Sequence, residues 1–237
     1  MSAYFKELDY QMTPLGAISL RRRRQLKLDV DVVEVVLGEE HLMSDLFTVS
    51  EKALSKLALT ELSGEAHNIL IGGLGLGYTA ATALDNPAVI SATIIEYLSP
   101  VIRWHQEGIL PLGRQIIEDP RCRLIEADFF SLAAVDLGLV SCGGGELYDC
   151  VLLDIDHSPN FFLNPSHGAF YTAEGLEKFS ANLCVGGVFG LWSNDAPDPV
   201  FVSRLQGVFR RAWAADIMFN NPILEEECCQ TIYLAIR

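Results

Sequence analysis

The sequence lacks the cysteine and histidine patterns of metal-binding and disulfide-rich proteins. None of its cysteines forms a CxxC pair, and no histidine pattern lies near them. The cysteines are Cys122, Cys142, Cys150, Cys184, Cys228 and Cys229. Zinc sites and disulfide frameworks depend on such spacings, and isolated thiols are typical of reducing compartments. We therefore predict reduced cysteines, no metal site and a cytoplasmic location.

Basic residues are scarce as well. The chain has 17 lysines and arginines against 31 aspartates and glutamates, a formal net charge of -14. Such a charge repels nucleic acid phosphates and anionic membranes, and it attracts cations, polyamines included. We expect no nucleic acid or membrane partner. The basic run Arg21–Arg24 is interpreted as the exposed part of a β-hairpin, with a phosphate or RNA patch as the alternative.

Long apolar runs are missing too. The longest apolar stretch, Ile69 to Leu84, is interrupted by glycines, threonines and a tyrosine and is shorter than the roughly 20 residues that span a bilayer. The opening residues MSAYFKELDY show no basic segment followed by an apolar one, so no signal peptide is expected. Half of the residues are hydrophobic. That share provides a large core and leaves apolar surface for self-association, so we expect a homodimer.

The first fifty residues differ from the rest in pattern. Leu15–Arg24, Asp31–Leu37 and Glu40–Ser44 are short segments of β-branched or alternating character, separated by glycine and proline. They predict a small antiparallel β unit over residues 1–46, followed by a second domain over residues 47–237. The second domain would open with a helix that has Ser50 as its N-cap.

Apolar strands then alternate with amphipathic helices. The predicted strands are Asn68–Gly72, Ile90–Glu96, Arg123–Glu126, Cys150–Asp154, Val188–Trp192, Ala215–Phe219 and Thr231–Ile236. The predicted helices are Tyr78–Leu84, Pro100–Glu107, Phe130–Val135, Ala173–Leu183 and Val200–Ala212, and Gly143–Gly145 is predicted as a loop. This alternation indicates an α/β domain of Rossmann-like type, with a mostly parallel sheet covered by helices on both faces.

A glycine-rich loop follows the first of these strands. Gly72, Gly73, Gly75 and Gly77 precede a predicted helix in a G-x-G-x-G spacing. Glycines let the backbone approach a nucleoside closely, and amides at a helix N-terminus face it. A dinucleotide fingerprint would need glycine at position 78, where Tyr78 stands, so the spacing favours an S-adenosylmethionine-type ligand. A glycine-rich turn without a ligand is the alternative.

Acidic residues follow three successive strands, at the sheet edge where ligands bind in open α/β folds. Glu96 ends the second strand and suits the ribose hydroxyls. Asp128 and Phe129 follow the third, where an acid can accept from the adenine amino group beside an aromatic wall. Asp154 ends the fourth strand. Together with the glycine loop, these residues predict a nucleoside site.

These motifs resemble the spermidine synthase family, the polyamine aminopropyltransferases, within the class I S-adenosylmethionine-dependent transferase fold. The similar segments include LGEEHLMSDLFTVSE, HNILIGGLGLG, EADFF, YDCVLLDIDHSP and FYTAEGLEKFSANLCVGGVF, within about Val35 to Trp192. The resemblance implies S-adenosylmethionine or its decarboxylated form as co-substrate. It also implies that Asp154–Pro159 is the catalytic loop and that the acceptor is a polyamine.

Transfer to an amine requires that the amine lose its proton. A carboxylate can accept that proton and hold a remaining cationic end. Asp154 and Asp156 are the candidates, with His157 as an alternative base. Alternation would place both aspartates on one side of the segment; alternatively, Asp156 caps a turn and only Asp154 faces the ligand.

Three further residues are candidates for the acceptor pocket. Trp192 and Asp195 follow the fifth strand, and Tyr171 precedes a predicted helix on the opposite side of the same rim. The sequence departs from the family at Gly75, where the family usually carries an aspartate. The resemblance, the acidic charge and the N-terminal β unit make aminopropyl transfer the leading function, and the departure at Gly75 adds weight to methyl transfer. Methyl transfer to a small molecule and a non-catalytic nucleoside-binding or oligomerisation module are the alternatives, ahead of an NAD-linked oxidoreductase.

Overall fold

A computed structural model describes residues 4–135, 137 and 147–237. Cys142 and the predicted loop Gly143–Gly145 lie outside these residues. The strands are β1 Phe5–Thr13, β2 Gly16–Gln25, β3 Val30–Leu37, β4 Glu40–Ser44, β5 His67–Gly72, β6 Val89–Glu96, β7 Cys122–Glu126, β8 Tyr148–Leu153, β9 Leu183–Ser193, β10 Arg211–Asn221 and β11 Glu226–Ile236. The helices are α1 Val49–Thr60, α2 Tyr78–Leu84, α3 Ser99–Gln106, α4 Gly113–Ile117, α5 Phe129–Ala133, α6 Ala173–Ser180 and α7 Pro199–Val208, with a 3-10 helix at Pro165–Ala169.

The strands form two sheets. A seven-stranded sheet has the order β10-β11-β9-β8-β5-β6-β7, in which the five strands from β9 to β7 are parallel and β10 and β11 are antiparallel. A four-stranded antiparallel sheet has the order β1-β2-β3-β4. The predicted fold class is confirmed: a Rossmann-like α/β fold with a small antiparallel β unit at the N-terminus.

The central strands are apolar because both of their faces are covered. Along β5, Ile69 and Ile71 pack into a core that includes α1 and α2, whereas Leu70 packs into an aromatic-rich core on the other face. Burying each such side chain contributes roughly 1.5–3 kcal/mol. Ile18 and Val35 of the small sheet belong to the first of these cores, so the two sheets share buried contacts.

The small sheet contains one strand more than the sequence predicted. β1 pairs with β2 through a tight turn at Thr13–Gly16, where Gly16 has a φ of 118°. The basic run on β2 is engaged in ion pairs: Arg23 contacts Glu34 at 2.6 Å, and Arg24 contacts Asp29 at 2.7 Å. These two arginines are therefore paired with acids of β3 and of the turn that precedes it.

Helix α1 begins differently from the prediction. Thr48 is the N-cap, without a side-chain hydrogen bond, and Ser50 lies inside the first turn and is buried. The expectation that Ser50 caps the helix is wrong because its hydroxyl contacts Gln230 and accepts a hydrogen bond from Trp192.

The parallel arrangement brings the carboxyl ends of β5, β6, β7 and β8 to one edge of the large sheet. The glycine loop leaves β5 at this edge. Glu96 is the last residue of β6, and Asp128 and Asp154 follow β7 and β8 there. In the part of the chain that the structure describes, no helix combines the length and the apolar character that crossing a membrane requires.

Candidate functional site

The glycine loop lies against the segment that follows β8. Gly73 has a φ of 93°, and a Cβ atom there would collide with the carbonyl oxygen of Asp154. Gly75 has a φ of 50°, and a Cβ atom there would lie 2.8 Å from Sδ of Met43. The backbone of this loop therefore runs closer to its neighbours than any side chain would allow.

Glu96 fastens this loop to the end of β6. Its Oε2 accepts a hydrogen bond from the Leu74 amide at 2.9 Å, and its Oε1 accepts one from the Leu98 amide at 2.8 Å. Burial raises the pKa of Glu96, and the amide hydrogen bonds oppose that shift. The Gly75 amide lies 3.5 Å from Oε2 as a further donor, so this carboxylate holds the glycine loop in place.

A cavity of about 110 Å³ opens beside Glu96. Its walls combine acids with apolar side chains, and they include the predicted residues Gly73, Gly75, Glu96, Asp128 and Phe129, together with Ile95, Leu98 and Val101. We name it the nucleoside cavity, because apolar walls suit a purine and the carboxylates suit its hydroxyl and amino groups. Two predicted glycines lie elsewhere: Gly72 packs under the Phe129 ring, and Gly77 lines a second cavity.

Asp128 also has a structural role. Its side chain caps α5 by accepting from the Phe130 amide at 2.9 Å and from the Ser131 hydroxyl at 2.6 Å. These bonds hold the carboxylate in one orientation at the wall of the nucleoside cavity.

The second cavity has a volume of about 710 Å³ and is acidic. Its wall carries the carboxyl groups of Glu51, Asp154, Asp195, Glu226 and Glu227, and no lysine or arginine among the described residues lines it. We name it the acceptor cavity, after the cationic acceptor that the sequence predicts. Asp154 and Gly75 line both cavities, so the two adjoin at this aspartate.

Asp154 and Glu51 are the two perturbed acids of the acceptor cavity. Burial raises the pKa of Asp154 to about 6, and the hydrogen bond donated by the Thr79 hydroxyl to its Oδ2 at 2.6 Å opposes this. Burial, together with the negative charge of Asp154, raises the pKa of Glu51 to about 7. Groups with pKa values near neutrality can both accept and return a proton at physiological pH.

The structure separates Asp156 from Asp154. Asp156 is 1 % exposed and lines neither cavity. Its Oδ1 accepts from the Leu163 amide and from Nδ1 of His167, both at 2.8 Å, and its Oδ2 accepts from the Tyr171 hydroxyl at 2.9 Å. The expected alternation is wrong because β8 ends at Leu153 and the following segment turns Asp156 into the core.

Tyr171 requires the same correction. It is 2 % exposed, stacks on Phe162 with ring centroids 5.2 Å apart, and lines neither cavity. Its hydroxyl is used by Asp156, so the structure gives it a packing role and no contact with a substrate in either cavity.

The remaining predicted residues lie at the acceptor cavity. His157 lines it, with its Nε2 2.8 Å from Glu40 and its ring stacked on Phe161. Trp192 is half-buried in the wall and donates from Nε1 to the Ser50 hydroxyl at 2.8 Å. Asp195 is exposed at the cavity wall.

Sequence analysis missed Glu51, Thr79 and Met43 as site residues. Glu51 and Met43 precede the glycine loop, and only the fold brings them to Asp154 and Gly75. The one available signal was the position of Glu51 at the end of the segment LGEEHLMSDLFTVSE that resembles the family.

Comparisons with known proteins give matches in structure only. No family model and no curated protein matches the sequence. A spermidine synthase from Thermotoga maritima superposes with a TM-score of 0.74 at 15% identity, covering 98% of this chain and 72% of that one. A spermidine synthase solved with the transition-state analogue AdoDATO gives 0.75 at 16% identity, covering 98% and 73%. The chain therefore has the spermidine synthase-like class I fold that its motifs predicted.

Proposed function

We propose that this chain is a transferase that moves an aminopropyl group from decarboxylated S-adenosylmethionine to a small cationic amine. One observation carries the proposal: a large acidic cavity without lysine or arginine in its described wall adjoins a nucleoside cavity at a carboxyl group with a raised pKa. The likeness in fold to spermidine synthases supports it.

We assign the adenosyl part of the donor to the nucleoside cavity. The backbone at Gly73 and Gly75 leaves no space for side chains, Glu96 holds this loop at the cavity wall, and Asp128 is oriented by its capping bonds. The donor would supply an electrophilic carbon bonded to its sulfonium sulfur. The chain's part is to hold that carbon beside Asp154, which borders both cavities.

The acceptor cavity suits an amine that arrives protonated. Removing a proton from an alkylammonium of pKa near ~10.4 at pH 7 costs about 4–5 kcal/mol. Asp154 can accept this proton, after which the nitrogen attacks the carbon with the freed electron pair while the carbon–sulfur bond breaks and its electron pair stays on sulfur. Asp195, Glu226 and Glu227 can hold the second cationic end of a diamine.

Methyl transfer is the second candidate, and Gly75 favours it. An acid at this position would meet Met43, whose sulfur lies 2.8 Å from the Cβ position. The loop therefore offers no carboxylate for an amino group on the donor's alkyl chain. S-adenosylmethionine, with the same nucleoside, would then deliver its methyl group to the same acceptor.

Calorimetry with S-adenosylmethionine, its decarboxylated form and methylthioadenosine tests the nucleoside cavity. We expect all three to bind and the decarboxylated donor to bind more tightly than S-adenosylmethionine. If none of them binds at concentrations up to about a millimolar, the transferase proposal falls. Binding without turnover of any amine supports the non-catalytic module instead.

Mass spectrometry of 1,4-diaminobutane incubated with each donor then identifies the transferred group. A gain of an aminopropyl unit from the decarboxylated donor supports the proposal. A methyl gain from S-adenosylmethionine, with no reaction of the other donor, overturns it in favour of methyl transfer.

A further inference from the structure

The hydroxyl of Ser50 has more hydrogen-bond acceptors near it than it has protons. Its Oγ lies 2.6 Å from Oε1 of Gln230 and 2.9 Å from Oε2 of Glu51, and it accepts from Nε1 of Trp192 at 2.8 Å. A serine hydroxyl donates a single hydrogen bond and accepts up to two. Gln230 and an ionised Glu51 cannot both receive that proton.

The side-chain amide of Gln230 determines whether Gln230 or Glu51 receives the Ser50 proton. Its Nε2 donates to Oδ1 of Asn194 at 2.9 Å, which directs Oε1 toward Ser50. The Ser50 proton therefore goes to Gln230. The 2.9 Å contact with Glu51 is satisfied when the carboxyl group of Glu51 carries a proton and donates it to Ser50.

The surroundings of Glu51 favour the same state. Asp154 shares the cavity wall, and the Thr79 hydroxyl that donates to Asp154 lies 3.4 Å from the backbone oxygen of Glu51. The nearby cation is Lys52, whose Nζ lies 5.1 Å from the ring centroid of Tyr78. The charge of Lys52 favours an ionised Glu51, and burial and the charge of Asp154 outweigh it.

We propose that Glu51 is a second proton-carrying acid of the acceptor cavity, protonated when the cavity is empty and ionised when a cationic amine binds. The carboxyl O–H bond breaks, its proton goes to the buffer, and the carboxylate charge then faces the bound cation. Since the ligand is an amine, the idea rests on the proposed function. It adds a residue that couples acceptor binding to proton release.

The pKa of Glu51, raised to about 7, agrees with this proton at neutral pH. The tyrosine beside it agrees as well, because the charges of Asp45 and Glu51, together with burial, raise the pKa of Tyr78. The neighbouring titratable groups are thus acids and a tyrosine, with Lys52 as the nearby base.

Calorimetry in two buffers of different ionisation enthalpy measures the protons released when 1,4-diaminobutane binds the methylthioadenosine-loaded protein. At pH 7 we expect the wild type to release about half a proton more than Glu51→Gln, because a group with a pKa of about 7 is half protonated there. Glu65→Gln, the same change at an exposed position, should behave as the wild type. Equal release by all three proteins overturns the proposal.

Infrared spectroscopy of the unliganded protein separates the failure of this idea from that of the proposed function. We expect a protonated-carboxyl band that titrates near neutrality in the wild type and in Glu65→Gln and is lost in Glu51→Gln. If the band is present but no amine binds, the proposed function is wrong, while the inference that Glu51 is protonated in the empty cavity is supported. If all three proteins lack the band, Glu51 is ionised and the inference is wrong.

Discussion

At the scale of single residues, Asp154 is the proposed proton acceptor. We expect Asp154→Asn to lower turnover by a factor of about 10²–10⁴, the usual contribution of a general base. Binding of methylthioadenosine should stay largely unchanged, since the amide keeps the size of the side chain. Initial rates and calorimetry on the same preparation measure the two effects.

Asp85→Asn is a matched control, because Asp85 is an exposed carboxylate at the end of α2. It should retain the wild-type rate. Full activity of Asp154→Asn would exclude the assigned role, and loss of nucleoside binding together with turnover would point to a structural one.

Glu51 should also affect the pH dependence of stability. A carboxyl group with a raised pKa in the folded state stabilises the fold below its unfolded pKa, and this stability is lost as the pH rises through the folded value. For Glu51 the window lies between about pH 4.5 and 7, and the loss is on the order of 3 kcal/mol.

Urea unfolding at pH 5 and at pH 7.5 measures this loss. The wild type and Glu65→Gln should lose more stability between the two values than Glu51→Gln, which has no proton to give up at this position. The same pH dependence in all three proteins would mean that Glu51 titrates as it does in the unfolded chain.

Sequence patterns predicted site residues where strand geometry determines the position. Glu96, Asp128 and Asp154 follow strands whose ends meet at one sheet edge, and each of them lines a cavity. Asp156 was placed wrongly because alternation holds only within a strand. Tyr171 was placed wrongly because a position before a helix does not show that the ring packs into the core. Glu51 was missed because nothing local to α1 indicates that it faces Asp154.

At the scale of elements, the contact between β4 and the glycine loop controls the position at which the family usually carries an acid. Gly75→Asp alone should destabilise the protein by about 1–3 kcal/mol, since the new side chain would overlap Met43. Adding Met43→Ala should recover much of this stability. It should also increase the preference for the decarboxylated donor, whose amine the new carboxylate can hold.

Thermal melts and donor calorimetry on the single and double variants measure both effects. Met43→Ala alone is the control, and it should leave the donor preference unchanged. If the double variant is no more stable than Gly75→Asp, the strain comes from the backbone at Gly75 and not from Met43.

The contact between β1 and α3 can be tested in the same way. Nε1 of Trp104 donates to Oδ2 of Asp9 at 2.6 Å, and Trp104 is fully buried. Trp104→Phe should cost about 1–3 kcal/mol, because a six-membered ring remains while the five-membered ring of the indole and a hydrogen bond to a charged group are lost. Thermal unfolding measures this, and Trp213→Phe, at a partly buried position on β10, should have a smaller effect.

Elements with a strong local pattern were predicted closely. Helix α2 has the expected bounds, and β5 differs by one residue, because an apolar run that ends in glycines marks both. β1 was missed because its sequence FKELDYQMT is polar and mostly exposed, so pairing with β2 and not burial defines it. α4 was missed as well, because a helix of five residues has too few turns to show a helical period of apolar residues.

At the scale of the whole molecule, charge should distinguish the two cavities. The chain has a net charge of -14, and the described wall of the acceptor cavity carries five carboxyl groups and no lysine or arginine. Raising the salt concentration from about 0.05 to 0.5 M should weaken binding of 1,4-diaminobutane severalfold, because salt screens exposed charges. Methylthioadenosine, which is uncharged, should bind equally well at both concentrations, and calorimetry measures both.

The alternation of strands and helices was sufficient to predict the parallel sheet, because crossover connections require helices on both faces. The homodimer, the cytoplasmic location and the division at residues 46 and 47 stay predictions. Sedimentation velocity tests the first of these directly.

The position of Asp154 between the two cavities has a further consequence for how ligands affect one another. A sulfonium donor and an ammonium acceptor both bring positive charge to a single carboxylate. Each should therefore weaken the other's affinity, and thermodynamic reciprocity makes the two factors equal. The thioether product carries no charge at sulfur, so this antagonism disappears once the group has been transferred.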